Sequence, residues 1–161
     1  MKQLIIIFIL LISNFSFGQE ITKKKLKSII KESIKESKEN GAPFDSKIIT
    51  ENRDSIFYKS KNVKLYSSYW ASYKYKLCRT VEFRFYKNNK VNLIDCQTCE
   101  EPSTCYVTKE QNIYDYKIYA LENKILIKLF NKFTEMIFEI NSIKTIKENS
   151  REYYEIEMQK I

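Results

Sequence analysis

Thr80-Val81-Glu82-Phe83-Arg84-Phe85-Tyr86-Lys87-Asn88-Asn89-Lys90-Val91-Asn92-Leu93 sets two alternating apolar and polar runs on either side of an Asn-Asn pair. This is the pattern of a β-hairpin with one greasy and one wet face. A three-residue loop of Lys87, Asn88 and Asn89 opposes Tyr86 to Lys90, Phe85 to Val91 and Phe83 to Leu93. Val81, Phe83, Phe85, Val91 and Leu93 then share a face. A two-residue Asn88-Asn89 loop would split that set across both faces, so the register argument selects the longer loop, with Asn89 in the left-handed conformation usually taken by Gly.

The same reading extends downstream. Taking Glu122-Asn123 as a two-residue turn opposes Ala120 to Ile125, Ile118 to Ile127 and Tyr116 to Leu129, again with six apolar groups on one face. A further strand over residues 134–140 turns Met136, Phe138 and Ile140 inward. A last one, over 152–159, turns Tyr154, Ile156 and Met158 inward and Glu155 and Glu157 outward. Adding the 65–77 region and a short run at 106–108 gives about eight strands, enough to close a small barrel. The fold class expected is mainly β, an antiparallel up-and-down meander or small barrel preceded by one N-terminal α-helix.

Upstream the period changes. Ile21, Leu26, Ile29, Ile30 and Ile34 recur at helical steps, with Lys, Glu and Ser between them. Asn40-Gly41 and Pro43 supply a stop signal. This narrow-faced helix reads as one laid against the domain or as a half-ordered leader; a membrane-surface or partner-docking helix is the functional alternative. Before it, Lys2, the apolar run over 4–12 and Ser16-Phe17-Gly18 have the layout of a cleaved secretory signal, with nine apolar residues too few to span a bilayer. The expected organisation is therefore a signal peptide at 1–18, an amphipathic helix and linker at 19–43, and a single antiparallel β domain at 44–161. No later apolar run is long enough to span.

Composition narrows the function. The chain of 161 residues has 43% hydrophobic and 30% charged residues, with two Gly, two Pro and no His. Lacking His, it has no Ser-His or Cys-His catalysis and no imidazole metal or haem ligand. No glycosidase-like carboxylate pair, phosphate loop or nucleophile elbow is present, so no catalytic residue, cofactor or metal is expected. The net charge of +8, one less without Lys2, is spread along the chain apart from Lys23-Lys24-Lys25 with Lys27. Weak attraction to anionic surfaces is expected of such a balance, and nucleic acid is not an expected partner of an exported protein.

Cys78, Cys96, Cys99 and Cys105 allow three disulfide pairings, and in an oxidising compartment two structural bridges are the default. The hairpin register favours Cys78 with Cys96 and Cys99 with Cys105. Cys96-Gln97-Thr98-Cys99 has the spacing of a redox pair, but it follows a strand and enters a loop, without the helix N-terminus that lowers a thiolate pKa. A four-cysteine zinc site would need paired knuckles that these spacings do not provide. Glu100-Glu101 beside the loop reads as a solvated turn rather than a calcium or partner site.

Tyrosine is in excess, with twelve residues, and Tyr66, Tyr69, Tyr73 and Tyr75 cluster around Trp70. Cross-strand packing is one reading of the cluster; lining a pocket is the other. Tyr69, Trp70, Tyr73 and Tyr116 are the candidate ligand-binding residues.

The order Trp70, Phe85-Tyr86-Lys87-Asn88-Asn89-Lys90-Val91, Tyr116-Lys117-Ile118, Glu122-Asn123-Lys124-Ile125-Leu126-Ile127 and Ile140-Asn141-Ser142-Ile143 resembles the short bacterial lipocalin-like domains over residues 65–161. In that family an early Trp precedes a Phe-x-x-Asp-Gly-x-Val hairpin, a Tyr-x-Ile strand, an Asn-x-Leu-x-Ile strand and an Ile-x-x-Leu-Thr strand end. Here no Gly stands directly before Trp70, Asn89 replaces the turn Gly, and the cysteine loop is extra. The resemblance implies a small barrel with a binding or structural role and brings no catalytic residue. The leader, ending Ser-Phe-Gly before Gln19, is similar to those of exported proteins in one group of Gram-negative bacteria, which implies a periplasmic or secreted location. The function expected is thus a non-enzymatic exported module with a small apolar ligand in the barrel. A protein-interaction module, such as an immunity or inhibitor protein, is the alternative, and its mark would be a filled barrel and an exposed aromatic patch.

Overall fold

The computed structural model describes residues 22–35, 47–86, 89–99, 103–106 and 109–161. The expected signal peptide, the Asn40-Gly41-Pro43 stop and Glu100-Glu101 lie outside these residues. Helix α1 covers 22–35. It is followed by β1 (Ile48–Glu51), the short helix α2 (Ile56–Lys59), β2 (Asn62–Tyr66) and α3 (Trp70–Lys74). After these come β3 (Arg79–Tyr86), β4 (Lys90–Gln97), the two-residue β5 (Thr104–Cys105), β6 (Ile113–Leu121), β7 (Lys124–Phe130), β8 (Glu135–Glu148) and β9 (Arg151–Lys160).

Eight of these strands close a barrel in the order β3-β1-β2-β9-β8-β7-β6-β4, with β4 returning to β3 and every neighbouring pair antiparallel. The path is a meander except at the start, where β1 and β2 exchange places. β5 adds to the edge of β4 beyond the end of β6.

The hairpin that opens the sequence argument has the expected register, with Tyr86 opposite Lys90, Phe85 opposite Val91 and Phe83 opposite Leu93. Asn89 adopts φ 56°, in the left-handed region where Asn is one of the few non-Gly residues at ease. The second turn also matches: Ala120 faces Ile125, Ile118 faces Ile127 and Tyr116 faces Leu129, with Glu122 at φ 52°. Between β8 and β9 the register slips at Asn141, between the pairs Ile140/Met158 and Ser142/Glu157. This one-residue bulge keeps both Ile140 and Ile143 on the inner face and sends Ile146 outward.

The inner face forms one core: Val81, Phe83, Phe85, Val91, Leu93, Ile125, Ile127, Leu129, Phe138, Ile156 and Met158 are all buried in it. Each such side chain contributes about 1.5 to 3 kcal/mol relative to exposure. Both barrel mouths are closed by the chain itself. At the hairpin end, α1 buries Leu26, Ile29 and Ile30 in the same core, each 3% exposed. At the other end, α2 inserts Phe57, whose ring lies 5.6 Å from Phe83 and 6.3 Å from Phe138. The helix expected upstream is therefore packed on the domain, the reading of a half-ordered leader being set aside over 22–35.

The 65–77 region corrects a sequence expectation. β2 ends at Tyr66 and Trp70–Lys74 is helical rather than a strand. The aromatic alternation that suggested a strand reflects a second, smaller core on the outside of the barrel, where α3 lies on Ile49, Tyr66, Tyr153 and Ile146. The 106–108 run is likewise not a strand at Tyr106; β5 stops at Cys105.

Candidate functional site

α3 begins where the Ser68 hydroxyl accepts from the Trp70 backbone N–H at 3.1 Å. It ends at Lys74, and two residues on Lys76 adopts φ 52°, which turns the chain away from the helix. Ala71, with no exposed surface, is the small residue that lets α3 approach the barrel wall. Tyr69 is buried beneath the helix, Trp70 is half-buried, and Tyr73 stands 70% exposed. The rings interlock: Tyr66 stacks on Tyr75 at 4.8 Å, Tyr69 meets Tyr73 edge-on at 5.7 Å, and Trp70 lies 6.0 Å from Tyr153. The Tyr75 and Tyr153 hydroxyls are hydrogen-bonded at 3.3 Å.

Cations edge this aromatic surface. Arg151 lies 5.5 Å from the Trp70 ring, and Lys74 lies 5.2 Å from Tyr75 while ion-pairing with Glu148. Burial pushes the Tyr153 phenol up to about 12, with the Tyr75 hydrogen bond acting in the same direction. Burial also raises Tyr66 and Tyr69. All three therefore stay neutral at physiological pH, as apolar rings with hydrogen-bonding tips.

Of the four candidate ligand residues, Tyr69, Trp70 and Tyr73 fall together on this outer face. Tyr116 does not join them. It belongs to the inner core, edge-on to Phe85 at 5.1 Å, near α1. The barrel interior itself, lined by Leu26, Ile30, Phe83, Phe85, Phe138 and their neighbours, leaves about 10 Å³ free. That is about the space of one water and far below the roughly 300 to 1,000 Å³ of a small-molecule site. A larger cleft of about 510 Å³ lies outside, between α1 and β6.

The cysteines form two bridges, Cys78–Cys99 and Cys96–Cys105, with Cα separations of 4.9 and 4.1 Å. This corrects the pairing favoured by the hairpin register. Cys96 sits opposite Thr80 on one side and opposite Cys105 on β5 on the other. Cys78 lies beside Thr98, whose N–H donates to its carbonyl at 2.9 Å, so Cys99 falls within its reach. The strand β5, too short to show in the alternation, decides the outcome. Each half of the CxxC segment is bonded elsewhere, so Cys96 and Cys99 are not a dithiol pair. Glu82 approaches the Cys96 and Cys105 sulfurs closely enough for a metal site. The sulfurs are tied in a disulfide, however, and Glu82 is held by Lys47 at 3.1 Å and by the Arg84 guanidinium at 2.9 Å.

Beside the bridges, Arg79 clamps Asp95 through two hydrogen bonds of 2.9 Å, and Asn52 donates to the same carboxylate at 2.9 Å. This cluster ties β3 and β4 to the entry of α2. No signal in the sequence singled out Arg79, Asp95 or Asn52; their meeting depends on β1 lying next to β3.

No family model, curated protein or solved structure matches the chain.

Proposed function

We propose that this protein is an exported, non-enzymatic module that binds another protein through the outer face of α3. The observation that carries the reading is the filled barrel: about 10 Å³ of free interior offers no room for the small apolar ligand expected from the sequence. The exposed aromatic surface supports it further. Trp, Tyr and Arg are the residue types that dominate binding energy at protein interfaces, and Trp70, Tyr73, Tyr75 and Arg151 occupy one face. The neighbouring Lys74 and Lys76 and the basic net charge suit a partner with an acidic rim. Two disulfides are in keeping with an oxidising compartment, the periplasm or the medium. The absence of His supports a binding rather than a catalytic role.

A photo-crosslinking residue placed at position 73, and separately at position 133, tests this in the producing bacterium. Phe133 is 58% exposed at the opposite end of β8. Position 73 is expected to give one adduct of defined mass and position 133 none. No adduct from 73, or the same set from both positions, would remove the α3 face as the docking surface.

A further inference from the structure

β6 pairs with β4 only over Ile113–Asp115, and the Tyr116 N–H then donates to the Asn89 carbonyl at 2.7 Å. Beyond that point β6 has no further pairing with β4 and continues to Leu121 beside β7, its one strand neighbour there among the described residues. In an antiparallel ladder alternate residues bond to opposite sides. Asp115, Lys117, Tyr119 and Leu121 form the bonded pairs with β7, so the N–H and C=O groups of Ile118 and Ala120 face the open side. Among the described residues no strand pairs with them. α1 runs along this open edge, and the cleft of about 510 Å³ between helix and edge is lined by Ile30, Ile34, Tyr116 and Ile118 together with Lys27, Lys31 and Lys117. Among the described residues its lining holds no carboxylate.

An unpaired strand edge is a template for another strand. We propose that the α1–β6 cleft receives an extended, acidic segment of a partner protein, which adds to the barrel as a strand beside β6. Alternation then sorts its side chains: those on the Ile118 side face Ile30 and Ile34, and those on the Lys117 side face the ammonium groups. The segment recognised therefore alternates apolar and acidic residues. A fatty-acyl anion would also match the lysines and the apolar wall. A hydrocarbon chain, however, would leave the Ile118 and Ala120 backbone groups covered and unbonded, which an extended peptide does not. The inference shares with the α3 reading only that the occupant is a polypeptide; the two surfaces are separate.

The test uses the mature, disulfide-intact protein and the capped peptide Glu-Val-Glu-Val-Glu-Val, followed by amide NMR. Saturable binding is expected, with amide exchange at Ile118 and Ala120 slowed at least tenfold. Only alternate peptide N–H groups would face β6. Of two analogues N-methylated on the three Val or on the three Glu, one is therefore expected to bind at least tenfold more weakly than the other. A Lys-for-Glu peptide is expected to bind at least tenfold more weakly than the parent. Lys31→Glu on α1 and Lys117→Glu on β6, each with unchanged circular dichroism, should weaken the parent peptide to a similar degree. Tyr73→Asp, on the separate α3 face, should leave this binding unchanged. The proposal is overturned by no binding, by no response at Ile118 and Ala120, by equal binding of both methylated analogues, by equal binding of the Lys peptide, or by dodecanoate protecting the same amides in place of the peptide.

Discussion

Phe85 and Arg84 are adjacent in one strand and live in different worlds. Phe85 is 3% exposed inside the barrel, whereas Arg84 lies on the outer face with its guanidinium 2.9 Å from Glu82. Phe85→Ala should cost about 3 to 5 kcal/mol, a large part of the roughly 5 to 15 that holds a domain together. Strand alternation alone would assign Arg84 a negligible cost. The buried Glu82 carboxylate raises it to about 1 kcal/mol, with Lys47 remaining as its other partner. Chemical denaturation of the two variants measures the difference; equal losses would mean that the strand is not one-sided. The pairing of Phe83 and Phe85 with Leu93 and Val91 was legible because a one-residue slip would expose all four rings and branches to water. The buried Glu82 was not legible. Its two cations stand far from it or two residues away in sequence, and only the covering of the outer face makes the pairing necessary.

At the scale of elements, the two bridges fasten β3 to the loop after β4, and β4 to β5. Peptide mapping without reduction should recover the Cys78–Cys99 and Cys96–Cys105 links and no free thiol. Reduction should lower stability by about 2 to 5 kcal/mol per bridge. A Cys78–Cys96 fragment would contradict the β4–β5 register. α3 shows where reading by alternation fails. Trp70-Ala71-Ser72-Tyr73-Lys74 carries aromatic residues that favour strands, yet Ala71 against the wall and the Ser68 hydroxyl on the Trp70 N–H make a helix the conformation that buries Tyr69 and half of Trp70. The aromatic cluster was visible in the sequence; its place outside the barrel followed from the helix and was not. α1 was legible, since Leu26, Ile29, Ile30 and Ile34 mark a single stripe. Ile30→Asp should therefore free the helix while the barrel stays folded, and hydrogen exchange over 22–35 should rise towards that of an isolated peptide. Unchanged exchange there would separate α1 from the core.

For the molecule as a whole, burial raises the pKa of Tyr58, Tyr66, Tyr69, Tyr114, Tyr116 and Tyr153. A tyrosine whose folded pKa lies above its unfolded value of about 10 contributes stability that is intact below pH 10. That contribution is lost as pH rises through the folded value, which for Tyr153 is about 12. Lys160 acts in the opposite sense, since desolvation lowers its pKa and its penalty fades as pH rises towards the unfolded value of about 10.5. Six tyrosines outweigh one lysine. The denaturation midpoint should hold steady to about pH 10 and fall from there to pH 12, in step with phenolate absorbance, and Tyr153→Phe should flatten the fall. A midpoint that rises over that range would contradict the burial of these rings.

The choice of a protein partner over an interior ligand turns on the barrel being filled from within and stoppered by its own helix. Methyl NMR of the mature protein tests that most directly. The Leu26 and Ile30 methyls should show strong cross-relaxation to the Phe83 and Phe85 rings and to the Ile156 and Leu65 methyls, the groups that surround them in the core. Their absence, with the Phe83 and Phe85 rings instead exposed to solvent, would mean an open, hollow barrel and would return the interior ligand to first place.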